Sequence, residues 1–221
     1  RGHRLHRRPR RALHRADVDR GAVVDVLGRA DRALDDVAHM GPVADLLARA
    51  FAEVAAENPL ARLCIVGDGP MRPQMQEILS RCADRVEWAG FQPWNKLPEF
   101  YARCSVFCFP SRYDGWGLAL VEALASGLPA IGTDQTGSAI DLISHRRNGW
   151  LVKADHYESL VEALREAVAL PAPQLGVMSE AARRTARSCH LAEGVKNFLH
   201  CVEDAFVCWE KAGETREKPS V

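Results

Sequence analysis

Features that define several other protein classes are missing from this 221-residue sequence. No apolar run reaches the roughly 18 residues that span a bilayer, and no apolar segment follows the basic start of the chain. This excludes a membrane-spanning helix and a secretory signal. Lysine plus arginine and aspartate plus glutamate both total 29, so the net charge favours neither a nucleic-acid binder nor an acidic tail. We therefore expect a cytoplasmic protein, either free or peripheral at the inner membrane face.

Seven cysteines are present, but none forms a Cys-x-x-Cys pair, and an odd number in a chain of this length does not indicate a disulfide framework. We interpret them as reduced thiols in the core. Cys104 and Cys108 flank a short apolar run, which favours core filling over metal binding. No metal site is predicted.

Residues 1–40 have an unusual composition of only nine residue types, and seven of the first fifteen residues are arginine. One interpretation is a basic arm for RNA or acidic lipid. The other is a segment of a GC-rich gene read out of frame, where third codon positions become first positions. Every residue type here except methionine has a codon that begins with G or C. We favour the second, with a true domain beginning near Gly41. Apolar spacing over residues 20–37 is compatible with a helix, but we expect an irregular segment without function.

The rest of the chain alternates short apolar strands with helical segments. Residues 41–212 are predicted to form one domain, followed by a solvated tail over residues 213–221. Strands are predicted around 62–67, 85–88, 106–109, 128–132 and 150–152, with helices around 42–57, 73–81, 97–103, 118–126, 157–169, 177–187 and 191–210. This order predicts an α/β fold, with a Rossmann-like parallel sheet covered by helices on both faces. Ligands of such sheets bind at the carboxyl ends of the strands.

Three glycine-bearing loops follow predicted strands, at residues 67–70, 111–117 and 133–138. The first is not a dinucleotide fingerprint, because Arg72 stands where the third glycine would be needed. Taken alone, it also fits a tight strand-to-helix turn. The second loop enters a helix at Leu118, and its glycines let backbone N–H groups approach a diphosphate closely.

Glu122 is the one acidic residue in the apolar helix that follows. A buried carboxylate requires donors, so Glu122 either bonds a partner such as Arg112 or a backbone amide, or chelates a ribose diol. Asp114 lies eight positions earlier, which gives two acids separated by seven residues.

These motifs resemble the C-terminal, donor-binding domain of GT-B glycosyltransferases, in particular the retaining family 4, the "glycosyl transferases group 1" domain. The resemblance runs from about Pro42 to about Glu210. It includes Leu63-Cys-Ile-Val-Gly-Asp-Gly-Pro70, Val86-Glu-Trp-Ala-Gly-Phe91, Phe109-Pro-Ser111, the stretch from Asp114 to Pro129, and Asn148-Gly-Trp-Leu-Val152. It implies the C-terminal half of a GT-B fold.

The resemblance also implies roles for particular residues. Asp114 would contact the donor sugar and Glu122 the nucleotide ribose, as the two acids of the family's Glu-x7-Glu motif. The first is a departure, because aspartate is one methylene shorter than glutamate. The remaining donor-binding positions would be the amides of Trp116, Gly117 and Leu118, the base-side residues Gly90 and Phe91, the turn Gly137-Ser138, and the loop Gly67, Asp68, Gly69 and Pro70.

Two parts of the family's machinery are not matched. A Gly-Arg followed by Lys-Gly should neutralise the donor diphosphate just before the first helix, but that place holds His39-Met-Gly-Pro42. The N-terminal domain that binds the acceptor also has no room in this chain.

The implied activity is transfer of a sugar from a nucleotide-diphosphate donor to a hydroxyl of a saccharide, lipid or small molecule. Transfer would proceed with retention and without a metal or other cofactor, and no nucleic acid is expected as a partner. The alternative is a catalytically incomplete fragment that only binds nucleotide sugars.

Overall fold

A computed structural model describes residues 23–28 and 44–214 of the chain. Its centre is a six-stranded sheet in which every neighbouring pair of strands is parallel. The strands are β1 (Val23–Gly28), β2 (Arg62–Gly67), β3 (Val86–Gly90), β4 (Val106–Phe109), β5 (Ala130–Thr133) and β6 (Gly149–Val152). Their order across the sheet is β3-β2-β1-β4-β5-β6.

Eight α-helices accompany these strands in the described part of the chain. They are α1 (Ala44–Glu57), α2 (Arg72–Ile78), α3 (Leu97–Arg103), α4 (Leu118–Ala125), α5 (Gly137–Leu142), α6 (Tyr157–Ala169), α7 (Ala172–Arg187) and α8 (Leu191–Glu214). A 3₁₀ segment, Ser80–Arg85, leads into β3. None of these helices is long and apolar enough to cross a membrane.

Helices cover both faces of the sheet, as predicted, because successive strand side chains point to opposite faces. On one face, Val106 and Ile131 pack with Phe51 of α1 and Leu164 of α6. On the other face, Phe107 packs in a second buried cluster with side chains of α3, α4, α5 and α7. The α/β class and the parallel sheet are therefore confirmed.

The start of the sheet differs from the sequence-based expectation. Residues 20–37 are compatible with a helix in an irregular segment, but Val23–Gly28 forms a strand between β2 and β4. Three valines in six residues favour extended structure, and this local signal outweighs the unusual composition. As a result, β2 and β4 are separated by β1 and are not neighbours. The reading-frame hypothesis and the boundary near residue 41 stay predictions, and the basic arm lies outside the described residues.

Most element boundaries agree with the sequence pattern, and α3, β4 and α6 agree to the residue. The clearest omission is α5, whose first residues Gly137 and Ser138 were expected in a loop. Its six residues are too few to show helical periodicity. The helix expected over 73–81 ends at Ile78, and the chain continues as the 3₁₀ segment.

The cysteine prediction holds for four thiols. Cys64, Cys82, Cys104 and Cys108 are buried, and burial raises the pKa of Cys82 and of Cys108 above the ordinary thiol value. The expectation of a core location is wrong for Cys189 and Cys201. Both are free and exposed, because they lie after α7 and on α8 rather than under the sheet.

Glu166 ties the turn before β6 to α6 and generates a pH-dependent contribution to stability. Its carboxylate accepts from Arg146 Nε at 3.0 Å and from the indole Nε1 of buried Trp150 at 2.8 Å. The Arg146 hydrogen bond lowers the pKa of Glu166 below its ordinary value, against a smaller opposing effect of burial. A lowered folded-state pKa stabilises the fold above the unfolded pKa, near 4.3, and this stabilisation is lost as the pH falls through the folded pKa.

We therefore expect Glu166→Gln to reduce the free energy of unfolding at neutral pH by about 1 kcal/mol. The difference from the unsubstituted chain should shrink as the pH falls below about 4. Urea unfolding at a series of pH values measures both effects. Glu162→Gln is the matched control, since Glu162 is mostly exposed and lies 3.8 Å from Arg146. A difference that stays constant with pH would contradict the assignment.

Candidate functional site

The order of strands places a crevice at the carboxyl end of the sheet. On one side of β1 the chain proceeds to β2 and β3, and on the other side it proceeds through β4 to β6. The order reverses between β1 and β4, and open parallel sheets bind ligands outside the carboxyl ends of their strands at such a reversal. The loop that follows β4 carries Asp114, Trp116 and Gly117, so these residues lie at this edge.

Backbone hydrogen bonds join the loop after β4 to the start of α5. The amide of Asp114 donates to Gln135 O at 3.0 Å, and the carbonyl of Asp114 accepts from the amide of Gly137 at 3.1 Å. The carbonyl of Trp116 accepts from the amide of Ser138 at 2.7 Å. The Ser138 hydroxyl then donates to Gly117 O at 3.0 Å. Two loops that follow neighbouring strands are thereby held as one unit, which we name the loop clamp: residues 114–117 bonded to residues 135–138.

Two of the three glycines of the loop clamp, Gly117 and Gly137, allow its close packing. A Cβ at Gly137 would lie 2.4 Å from Gly115 O, which is backbone and cannot turn aside. Gly117 has φ +79°, and a Cβ there would lie 2.8 Å from Thr136 Cγ2. Larger residues at either position would push the two loops apart.

Asp114 uses part of its carboxylate within the loop. Its Oδ1 accepts from the amide of Trp116 at 2.9 Å, and its side chain is partly exposed. The resemblance assigned that amide to the donor, but the hydrogen bond from Trp116 to Asp114 occupies it. Gly117 is the N-cap and Leu118 the first residue of α4, so their N–H groups have no partner within the helix. Both lie at the N-terminal, positive end of this eight-residue helix, where Leu118 is exposed and Gly117 is buried.

Glu122 lies one turn beyond Leu118, on a half-exposed face of α4. Its Oε2 accepts a hydrogen bond from the hydroxyl of buried Tyr101 at 3.2 Å. The expected partner Arg112 instead forms an ion pair with Asp155 at 2.7 Å. The helix is also less buried than its apolar sequence indicates, because Leu118 is 60% exposed. Glu122 is therefore a solvent-accessible carboxylate fixed by one phenol.

The other predicted binding residues lie on the far side of β1. Gly67 and Gly90 are register partners at the ends of β2 and β3, so the loop 67–70 begins beside Phe91. Asp68 accepts from the amide of Gly69 and pairs with Arg72 at 2.8 Å, which is the local bonding of a tight strand-to-helix turn. Phe91 is 71% exposed. Within the described residues, no hydrogen bond joins this pair of loops to the loop clamp.

One element that the sequence reasoning missed lies at the end of β1. The strand before α1 ends at Gly28, and the next residue in the sequence is Arg29. In the sequence, a Gly-Arg pair thus begins at the last residue of this strand. The expected position at His39-Met-Gly-Pro42 lies closer to α1, because the strand ends well before the helix begins. The signal was the run of valines before Gly28. Arg29 itself lies outside the described residues. Among the described residues, no three His, Cys, Asp or Glu side chains form a group able to hold a metal ion.

Comparisons with known proteins identify the family of the chain. Residues 43–185 match the family described as "Glycosyl transferases group 1". The chain is 36% identical over 120 residues to an exopolysaccharide phosphotransferase of Streptomyces coelicolor, covering 52% of this chain and 12% of that protein. It is 28% identical over 131 residues to a GDP-mannose-dependent alpha-(1-6)-phosphatidylinositol monomannoside mannosyltransferase of Mycobacterium tuberculosis, covering 55% and 34%. The chain thus spans about a third or less of the length of these relatives.

Among solved structures, TarM of S. aureus in complex with fondaparinux, alpha-GlcNAc-glycerol and UDP superposes with a TM-score of 0.70. The identity is 16%, with 84% of this chain and 36% of that chain covered, so this similarity concerns the fold. The match to the family covers well over half of the chain. This chain therefore belongs to the group 1 glycosyltransferases, and its sheet is that of the C-terminal domain of a GT-B enzyme.

Proposed function

We propose that this chain is the donor-binding part of a glycosyltransferase that moves a sugar from a nucleoside-diphosphate carrier to an acceptor hydroxyl with retention. The name of the mycobacterial relative specifies GDP-mannose, and the TarM complex contains UDP. Both support a nucleotide-diphosphate donor, with two different bases. The acceptor, whether saccharide, lipid or small molecule, would be held by a further domain of a longer protein, since the relatives extend well beyond the matched part.

The loop clamp is the observation that carries the proposal. It holds the N-terminus of α4 at the strand-order reversal, where the N–H groups of Gly117 and Leu118 have no partner within the helix. A donor diphosphate accumulates negative charge as the bond to the sugar breaks. Backbone dipoles fixed before the reaction stabilise such charge without reorganising. We propose that these two amides bind the phosphate next to the sugar.

Asp114 and Glu122 would then hold the two ends of the donor. Asp114 already bonds the Trp116 amide through Oδ1, so its Oδ2 is the oxygen available for a sugar hydroxyl. Glu122 is bonded by Tyr101 through Oε2, which leaves Oε1 for the ribose. Asp114 is one methylene shorter than glutamate. Its short side chain is suited to the hydrogen bond with the Trp116 amide in its own loop. Phe91, exposed beside Gly90, is proposed to lie beside the base.

Neutralisation of the diphosphate is proposed to come from protein groups without a metal or other cofactor. Besides the α4 amides, Arg29 follows the strand that borders the reversal, and this Gly-Arg pair fits the first half of the family's basic element. No Lys-Gly follows it before α1. We therefore expect the donor to bind weakly to this chain.

The ribose role of Glu122 is tested by Glu122→Ala. We expect UDP or GDP affinity, measured by calorimetry, to fall by about 1.5–3 kcal/mol, because charge-assisted hydrogen bonds to the ribose are lost. Tyr101→Phe should weaken binding by about 0.5–1.5 kcal/mol, and should have no further effect when Glu122 is already alanine. Both variants should also reduce the preference for the ribonucleotide over its 2′,3′-dideoxy analogue.

Glu77→Ala provides the matched control, since Glu77 is an exposed carboxylate on α2. Its nucleotide affinity should equal that of the unsubstituted chain. Unchanged affinity in a folded Glu122→Ala variant would leave Glu122 only its structural bond to Tyr101, and would refute its place in the donor site.

The loop clamp is tested by Gly137→Ala. The added methyl group would meet Gly115 O, so the loop after β4 must shift and the α4 amides with it. We expect at least a tenfold loss of nucleotide affinity, because hydrogen bonds to a phosphate tolerate little displacement. Gly176→Ala on α7, where a Cβ meets nothing within 4 Å, should bind as before. Equal affinity of both variants would contradict the proposed phosphate position.

Activity separates the enzyme from the alternative of a nucleotide-sugar-binding fragment. In this proposal the chain forms one side of the cleft between donor and acceptor. It binds a donor, but by itself it does not orient an acceptor or exclude water. We expect a dissociation constant of about 10⁻⁴ M or weaker, and no transfer from radiolabelled nucleotide sugars. A longer protein that includes the acceptor domain should transfer sugar, with the donor's anomeric configuration kept in the product as seen by NMR. Transfer by the 221-residue chain alone would contradict this expectation.

A further inference from the structure

A pocket lies at the edge of the sheet opposite the loop clamp. It has a volume of about 330 Å³ and lies between the turn that precedes β6 and the last turns of α7. It is lined by Ser144, Arg147, Asn148, Ala181, Arg184 and Thr185. Because the turn leads into the amino end of β6, this pocket is separate from the donor site at the carboxyl ends of the strands.

Asn148 gives this pocket a fixed shape. Its side chain is 1% exposed and joins the turn to both neighbouring helices. The Nδ2 group donates to Leu142 O and to Thr185 Oγ1, both at 2.9 Å, and Oδ1 accepts from the amide of Ser144 at 2.8 Å. These three bonds set the distance between the turn and α7. Ser144 and Thr185 therefore face the pocket from positions that do not depend on a ligand.

The hydroxyl groups of the lining are left with protons to donate. Thr185 Oγ1 accepts from Asn148, so its own hydrogen is directed elsewhere. In the part of the chain that the structure describes, neither the Thr185 nor the Ser144 hydroxyl donates to any acceptor. Both are available to a ligand that accepts hydrogen bonds.

The two arginines of the lining strengthen this pattern. Arg147 and Arg184 come from different elements, and within residues 44–214 no carboxylate lies within 4 Å of either. Several other arginines of the same residues are paired, such as Arg103 with Glu87 and Arg165 with Glu57, whereas Arg187 at the end of α7 has no ion pair either. Both arginines line one small pocket, so an anion bound there would lie near two positive charges.

The chemistry of the lining selects the ligand class. Guanidinium groups only donate, and the two free hydroxyl protons add donors, so the ligand must be negatively charged and rich in acceptors. Arginine matches the oxygens of phosphate with paired hydrogen bonds. The volume is at the lower end of sites that hold small molecules, about 300–1,000 Å³.

We propose that this pocket binds a phosphate group through Arg147, Arg184, Ser144 and Thr185. The group belongs either to a soluble phosphorylated compound or to a phospholipid headgroup, and both present the same oxygens to the arginines. The site is independent of the proposed donor site, from which it is separated by the length of the strands.

Titration of the 221-residue chain with inorganic phosphate, followed by backbone NMR at constant ionic strength, tests the site. We expect saturable shifts at the amides of Ser144, Arg147 and Thr185 that chloride does not reproduce. Arg147→Gln and Arg184→Gln should each weaken binding roughly five- to tenfold, and the double variant should show no saturation. Arg187→Gln, at the end of α7 and outside the lining, should bind as the unsubstituted chain does.

Two further experiments distinguish the source of the phosphate. Glycerol 3-phosphate in the same titration represents a soluble compound, and flotation with vesicles of phosphatidylglycerol and phosphatidylcholine represents a membrane. Loss of either interaction in the folded double variant supports the pocket and identifies the source. Phosphate shifts that are absent, confined to the α4 amides, or equal in the double variant overturn the proposal, while leaving the donor-site tests unaffected.

Discussion

The loop clamp is the interaction on which the rest of the site depends. Hydrogen bonds between residues 114–117 and residues 135–138 fix the entry of α4, and that entry determines where Glu122 lies one turn later. Gly137 makes the approach possible because a side chain there would overlap Gly115 O. The loops that follow β4 and β5 thus form a single hydrogen-bonded surface. The proposed binding of a diphosphate without reorganisation requires such a surface.

The strand order gives that surface its place in the molecule. β1 lies between β2 and β4, and the crevice forms where the connections turn to opposite sides of it. The loop clamp borders this crevice on one side, and the paired ends of β2 and β3 at Gly67 and Gly90 border the other. A donor with a base, a diphosphate and a sugar is long enough to use both sides, which is consistent with the proposed division of roles.

The two edges of the sheet differ in their chemistry. At the carboxyl edge, polar groups are mostly bonded to one another, as in Asp68 with Arg72 and Arg112 with Asp155, and the groups left for a ligand are backbone amides and single carboxylate oxygens. At the amino end of β6, buried Asn148 forms hydrogen bonds with Leu142, Ser144 and Thr185. The hydroxyl and guanidinium donors of the neighbouring side chains line a pocket there. The backbone amides at the carboxyl edge and the side-chain donors at the amino end of β6 are the groups that suit an anion.

The sequence alone determined the α/β class, the parallel sheet, and most helix and strand bounds, because alternating apolar runs and glycine-bearing loops are local signals. It did not predict β1, since the composition of residues 1–40 obscured a short valine-rich run, and it missed α5, which has only six residues. The hydrogen-bond partners of Asp114 and Glu122 depend on the tertiary structure. Tyr101 rather than Arg112 bonds Glu122, and Asp114 accepts a hydrogen bond from the Trp116 amide. The reason is physical: hydrogen-bond partners brought together by neighbouring strands are distant in the chain, and no spacing in the sequence records which of several donors will reach a given oxygen.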